Sequence, residues 1–230
     1  MRFQLLALLS LCSTFALAQD HERWRTTGGD QANTKYSSLN QINRSNVTQL
    51  EPSWIYESAR GAEFFSTSEL QLNPIVIDGV LFGRNPLHQV FAIEADTGRE
   101  LWTFDPFTDT PGLLGSYMRG VSYWEHGKDR RLLFNASHNM YALDANTGKL
   151  VESFGNDGVV DLREGLGRPV EQVAVYAPSP GVVFENLIIQ GSAVTEFSGA
   201  APGDIRAYDV RTGELVWTFH TIPHPDEFGH

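Results

Sequence analysis

The chain has 230 residues, with 17 lysines and arginines against 28 aspartates and glutamates, a formal net charge of −11 at pH 7. That balance excludes the basic surface a nucleic-acid partner requires. One cysteine, Cys12, excludes a disulfide framework, and 21 glycines with 11% aromatic residues suit a many-turned β protein.

In chain order, the first feature is an apolar run from Phe3 to Leu17 behind Arg2, closed by the small-x-small triplet Ala16-Leu17-Ala18. This predicts a secretory signal peptide over 1–18, cut after Ala18. Leu11 precedes Cys12 where a lipoprotein signal wants a small residue, so lipidation is disfavoured. Removal of Arg2 takes the net charge from −11 to −12 and removes the one thiol. No later segment approaches the roughly 20 apolar residues of a membrane span, so residues 19–230 are expected as a soluble or peripheral domain, periplasmic or secreted.

Three segments then repeat one pattern: Ala92-Ile-Glu94-Ala-Asp-Thr97-Gly98 with Trp102, Ala142-Leu-Asp144-Ala-Asn-Thr147-Gly148 with Glu152, and Ala207-Tyr-Asp209-Val-Arg-Thr212-Gly213 with Trp217. Each reads as strand, tight turn, strand, preceded by another β-rich hairpin, turning at Asp78-Gly79, near Gly127 and at Glu185-Asn186. The turn glycines are 50 and then 65 residues apart, near the roughly 40 to 50 residues of a propeller blade. The fold class expected is therefore all-β, a β-propeller of four-stranded antiparallel blades over residues 47–230. The Asp or Glu of each repeat is expected to accept hydrogen bonds from its turn. Each Trp is expected to pack on the small Ala of a neighbouring blade, a dock missing where Glu152 replaces it. Trp54-Ile-Tyr56 aligns with Trp102 and Trp217 as a lone outer strand.

Repeat phase also nominates a ring of residues. Gln71 lies seven residues before Asp78, Arg119 six before Glu125 and Ser179 six before Glu185. All three open the first strand of a blade, and first strands line the channel where propellers bind ligands. No Gly-x-Gly-x-x-Gly or Gly-Lys-Ser/Thr motif supports a nucleotide cofactor. His220, His224, Asp226, Glu227 and His230 have metal-ligand side chains, but Pro223 and Pro225 forbid the helix that would align the histidines, so a plain loop is expected. Asn156-Asp157-Gly158 with Asp161 lacks the acidic ladder of a calcium loop and is expected to make a turn.

The repeats, together with Trp24, Gly28-Gly29-Asp30, Lys35-Tyr36-Ser37-Ser38-Leu39, Gln41-Ile42-Asn43 and Asn46-Val47, resemble the dehydrogenases that use pyrroloquinoline quinone (PQQ), from about residue 24 onward. Arg119-Gly-Val-Ser-Tyr-Trp124 and Phe154-Gly-Asn-Asp-Gly are closer to the membrane-type glucose dehydrogenases than to the alcohol dehydrogenases. The resemblance implies an eight-bladed propeller of which this chain is the N-terminal part, PQQ with calcium, an alcohol or sugar substrate, and a cytochrome or quinone as electron acceptor. It implies Arg119 on a PQQ carboxylate, Gln71 and Ser179 on the polar edge of the quinone, and Glu196 as a calcium ligand. It places the catalytic base beyond residue 230, so that residues 19–230 alone are expected to be inactive. The rival reading is a non-catalytic binding propeller of the cell envelope, since the same repeat builds scaffolds.

Overall fold

The computed structural model describes residues 24–58, 70–108 and 118–230; the expected signal peptide over 1–18 lies outside them. Three four-stranded antiparallel meanders follow one another. The first comprises β1 (Ile75–Ile77), β2 (Val80–Arg84), β3 (Val90–Glu94) and β4 (Glu100–Phe104), and the second β5 (Ser122–His126), β6 (Asp129–Ala136), β7 (Asn139–Asp144) and β8 (Val159–Asp161). A short β9 (Val175–Tyr176) leads into the third, made of β10 (Val182–Phe184), β11 (Leu187–Gln190), β13 (Ile205–Asp209) and β14 (Leu215–Phe219); β12 (Ala193–Val194) leaves that sheet to pair with β9. Among the described residues helix is limited to two 3-10 turns, Val47–Gln49 and Val170–Gln172, and none could cross a membrane.

The three sheets share a register. Phe82 faces Ala92, Leu133 faces Ala142 and Ile189 faces Ala207, so the repeat alanines occupy one position in each third strand. The turns behave as their chemistry demands. Asp144 Oδ1 accepts from the amides of Asn146 and Thr147, and Asp209 Oδ1 from those of Arg211 and Thr212. Glu94, one methylene longer, overreaches the amides and takes the Thr97 hydroxyl and the Arg99 guanidinium instead.

Packing between sheets explains the apolar runs. On β6, Leu132 and Phe134 enter a core shared with the first sheet, whereas Leu133 enters one shared with the third. On β7, Tyr141 and Leu143 take the first side and Met140 and Ala142 the other. A strand with both faces covered must be apolar at every position. Leu132 and Leu133 are each fully buried, and such a side chain stabilises by about 1.5–3 kcal/mol.

The tryptophan dock differs from expectation. Trp54 and Trp102 lie on the turn glycines of the following sheet, and each indole N–H donates to a turn carbonyl, of Ala95 at 3.1 Å and Ala145 at 3.2 Å. Within its own sheet Trp102 faces Ala92. Glycine is required at the dock for two reasons: φ is +71° at Gly98 and +70° at Gly148, and an added Cβ would come within 2.7 and 2.5 Å of the indoles. Where Glu152 replaces Trp, the dock is refilled. The outer strand of the second sheet breaks after Leu150, loops through Glu152–Gly158 and resumes as β8; Gly155 N donates to Thr212 O at 2.7 Å and fills the space over Gly213. That loop is the turn expected at Asn156-Asp157-Gly158, and Asp161 is held by Arg163. Trp54-Ile-Tyr56 is extended chain without a pairing strand among the described residues, so it docks through its indole and forms no regular strand.

Candidate functional site

The segments that open the first strands lie side by side along one edge of the sheets. Asn73 N donates to Arg119 O at 3.4 Å, and Arg119 N donates to Pro178 O at 2.9 Å. This ladder carries the chain from the first sheet to the third. Arg119 reaches Ser179 Oγ at 3.5 Å, the outer limit of a hydrogen bond. Arg119 and Ser179 are thus brought together, each three residues before the aligned positions Ser122 and Val182. Counting back the same distance from Ile75 gives Leu72, so Gln71 sits one place earlier, in a stretch without strand pairing, two residues from Asn73.

Beneath Ser179 lies a pair of buried amides that sequence reasoning missed. Asn135, at the end of β6, donates to Gln190 Oε1 at 2.9 Å and to Ser179 O at 3.4 Å. Gln190, at the end of β11, donates to the same Ser179 carbonyl at 3.3 Å and to Gly191 O at 2.7 Å. Second strands end where first strands begin, so the antiparallel pairing places these amides at the Arg119 edge. The signal available in the sequence was polarity in otherwise apolar strands: Phe134-Asn135-Ala136 and Ile188-Ile189-Gln190.

Arg84 extends this polar layer. It takes the β2 position aligned with Asn135, donates to Asn135 O at 2.6 Å and His88 O at 3.0 Å, and stacks its guanidinium 5.0 Å over Phe134. Burial pushes its pKa down to about 9, which leaves it charged at neutral pH. Arg84 Nε and Asn135 Oδ1 are buried and find no protein partner among the described residues. Arg119, by contrast, is exposed, and no ion pair among the described residues includes it.

Glu196 is not brought to this edge. Ala193 faces Tyr176 and Val194 faces Val175, so β12 runs away from Ser179 before the exposed loop that carries Glu196. Residues 25–33 line a cavity of about 460 Å³ together with β5 and β10. They are fixed there by the Val76 N–H on the Trp24 carbonyl at 2.7 Å and by Arg25 on Glu125 at 2.7 Å. Glu125 also accepts from Tyr123, whose hydroxyl pKa is raised by burial and by that carboxylate. After β14 the chain is the loop expected, and within it a turn brings His220 and His224 close to Glu227.

Antiparallel four-stranded blades in common register, docked by tryptophan on turn glycine, with polar residues gathered at the strand starts, define a β-propeller of the quinoprotein type. The chain belongs to the PQQ-dependent glucose/ethanol/alcohol dehydrogenase β-propeller family, whose model matches residues 24–230. It is 34% identical over 215 residues to the dehydrogenase subunit of the quinone alcohol dehydrogenase of Gluconacetobacter polyoxogenes, covering 90% of this chain and 27% of that one. It is 30% identical over 214 residues to the quinoprotein glucose dehydrogenase of Escherichia coli, covering 85% and 27%. The crystal structure of quinohemoprotein alcohol dehydrogenase from Comamonas testosteroni superposes with a TM-score of 0.72 at 31% identity, over 90% of this chain and 28% of that one. The chain therefore spans about a quarter of the length of these relatives, and alcohol and glucose branches match at similar identity.

Proposed function

We propose that this chain forms part of a PQQ-dependent oxidoreductase acting outside the cytoplasm on an alcohol or sugar hydroxyl, with calcium as companion metal and a cytochrome or quinone as electron acceptor. The observation that carries the reading is Arg119, an exposed guanidinium at the inner edge, set beside Ser179 and free of carboxylate partners among the described residues, in a chain of net charge −11. PQQ bears three carboxylates, and only a local cation overcomes an acidic protein's repulsion of such a ligand. Donors and acceptors of the right kind stand next to it: the Ser179 hydroxyl and the buried Asn135 and Gln190 amides. When bound, PQQ supplies the electron-accepting quinone. Arg119 binds a carboxylate of the cofactor, Gln71 and Ser179 hydrogen-bond its polar edge, and Asn135 with Gln190 hold the Ser179 main chain in place. Glu196 is the carboxylate offered to calcium, from the exposed loop between β12 and β13. Calcium takes about 6 to 8 oxygens, several of which a quinone with carboxylates provides.

The test is PQQ titration of the complete gene product, read by tryptophan quenching. Arg119→Ala is expected to weaken binding by about 10- to 150-fold, the roughly 1.5–3 kcal/mol of a charged hydrogen bond, and Arg119→Lys by less. Unchanged affinity in Arg119→Ala would remove the basis of the assignment.

A further inference from the structure

Beyond the inner edge, one cluster of side chains is assembled for a purpose the dehydrogenase reading does not use. His220 follows β14, and the turn through Pro223 and Pro225 brings His224 and Glu227 back to it, so that one ligand atom from each lies within 4.8 Å of the other two. The carboxylate organises the turn. Glu227 Oε1 lies 2.8 Å from His220 Nδ1, Oε2 accepts the His224 amide at 2.7 Å, and Glu227 N donates to His224 O at 3.0 Å. The two imidazoles stack with centroids 3.7 Å apart and planes 18° apart. Each proline fixes its φ near −65°, so much of the turn is set before any ligand arrives.

We propose that His220, His224 and Glu227 bind a divalent transition metal of imidazole preference, with zinc as the reference ion. Two imidazoles and one carboxylate, with water completing the shell, form a known three-ligand zinc set, whereas calcium and magnesium demand oxygen. A tetrahedral zinc with bonds of about 2.0–2.1 Å holds its ligand atoms about 3.3 Å apart. The cluster must therefore contract by at most about 1.5 Å. Stacked rings cannot aim two in-plane lone pairs at one ion, so one imidazole turns about its Cβ–Cγ bond; His224, exposed on the turn, is the ring placed to do so. The ion displaces the hydrogen shared by His220 Nδ1 and Glu227 Oε1, and that pair opens from 2.8 Å to about 3.3 Å.

Position gives the site its consequence. Phe219 faces Ile205 and Gln190 faces Arg206, so β14 ends at the same sheet edge as Gln190, on the outer strand of the third sheet. Next to His220, Thr221 bonds Gly203 O at 3.3 Å and Asp204 Oδ1 at 3.4 Å, the root of the loop bearing Glu196. A metal here braces that root from the rim.

The experiment titrates zinc into the metal-stripped complete gene product against a chromophoric chelator of micromolar affinity, with cobalt as a spectroscopic substitute. The expected result is one zinc per chain that the chelator does not remove, visible cobalt d–d bands, and no competition from a hundredfold excess of calcium. His224→Ala and Glu227→Gln are expected to lose at least about tenfold in zinc affinity, and His230→Ala to lose none, with far-UV spectra unchanged. His224→Gln replaces His224→Ala should the latter unfold. Zinc surrendered fully to the chelator, or retained equally by all the variants, overturns the proposal.

Discussion

Gly148→Ala isolates the tryptophan dock, because Gly79 offers a matched control. Both glycines have positive φ, +70° and +79°, so an alanine at either carries the same left-handed penalty of about 1–2 kcal/mol. Around Gly79 no atom lies within 4 Å of an added Cβ, whereas at Gly148 the Cβ would stand 2.5 Å from the Trp102 ring. Relieving that overlap by shifting the indole costs a further ~1–3 kcal/mol of overpacking. It also loosens the 3.2 Å hydrogen bond to Ala145 O, worth ~0.5–1.5 kcal/mol. Gly148→Ala should therefore exceed Gly79→Ala by about 1.5–4.5 kcal/mol, measured as the difference in urea midpoint at constant slope by far-UV circular dichroism. In a Trp102→Ala background the overlap is gone, and Gly148→Ala should fall back to the cost of Gly79→Ala. Equal costs in the parent protein, or an excess that survives removal of Trp102, would show that the indole is not what makes glycine necessary.

Asn135→Leu removes the donor to Gln190 Oε1 and one of two donors to Ser179 O. It should lower stability by ~1–3 kcal/mol and weaken PQQ binding in the titration used for Arg119; full affinity would mean the amides serve packing alone. The pKa of His88 is lowered by burial and by Arg84, so its neutral form is the folded one. Its contribution to stability is complete above the unfolded value near 6.5 and is lost as pH falls through the lower folded value. His88→Asn, tolerated at φ +66°, should flatten the decline in melting temperature between pH 7 and 5, and an unchanged slope would contradict the assignment.

What the sequence made legible was whatever repeats. Ala142-Leu-Asp144-Ala-Asn-Thr147-Gly148 contains both strand ends and the turn that joins them, so seven adjacent residues specify the hairpin and its period specifies the sheets. Arg119 and Ser179 were found the same way, through their distance from a turn. Phase failed by one residue at Gln71, because Gln71 lies seven residues before Asp78 while Arg119 and Ser179 lie six before Glu125 and Glu185, and all three of those turn residues stand three past the aligned positions Ile75, Ser122 and Val182. Asn135 and Gln190 escaped notice because each bonds a carbonyl brought near only when two sheets meet. Pro223 and Pro225 exclude a helix as the route that brings His220 to His224, and a turn brings them together instead.

The buried arginines follow the same logic to its end. Arg84, Arg131 and Arg206 stand in strands where their neighbours are core residues, and a cation there reads as a solvent-facing position. All three are buried, and each carries its charge to main-chain carbonyls of a neighbouring sheet or its insertion: Arg84 to Asn135, Arg131 to Val210 and Arg211, Arg206 to Leu162 and Glu164. Carbonyls where two sheets meet have lone pairs that no strand ladder satisfies, and an unsatisfied buried carbonyl costs about 1–3 kcal/mol. A guanidinium, with five donors on a long apolar stem, can span the gap and serve two carbonyls at once. The charge is thereby solvated by backbone, with the Asp129 carboxylate added at Arg131, and the arginine joins the sheets. Arginine at these positions is consequently an interior residue, and its presence among core neighbours marks the seam between adjacent blades.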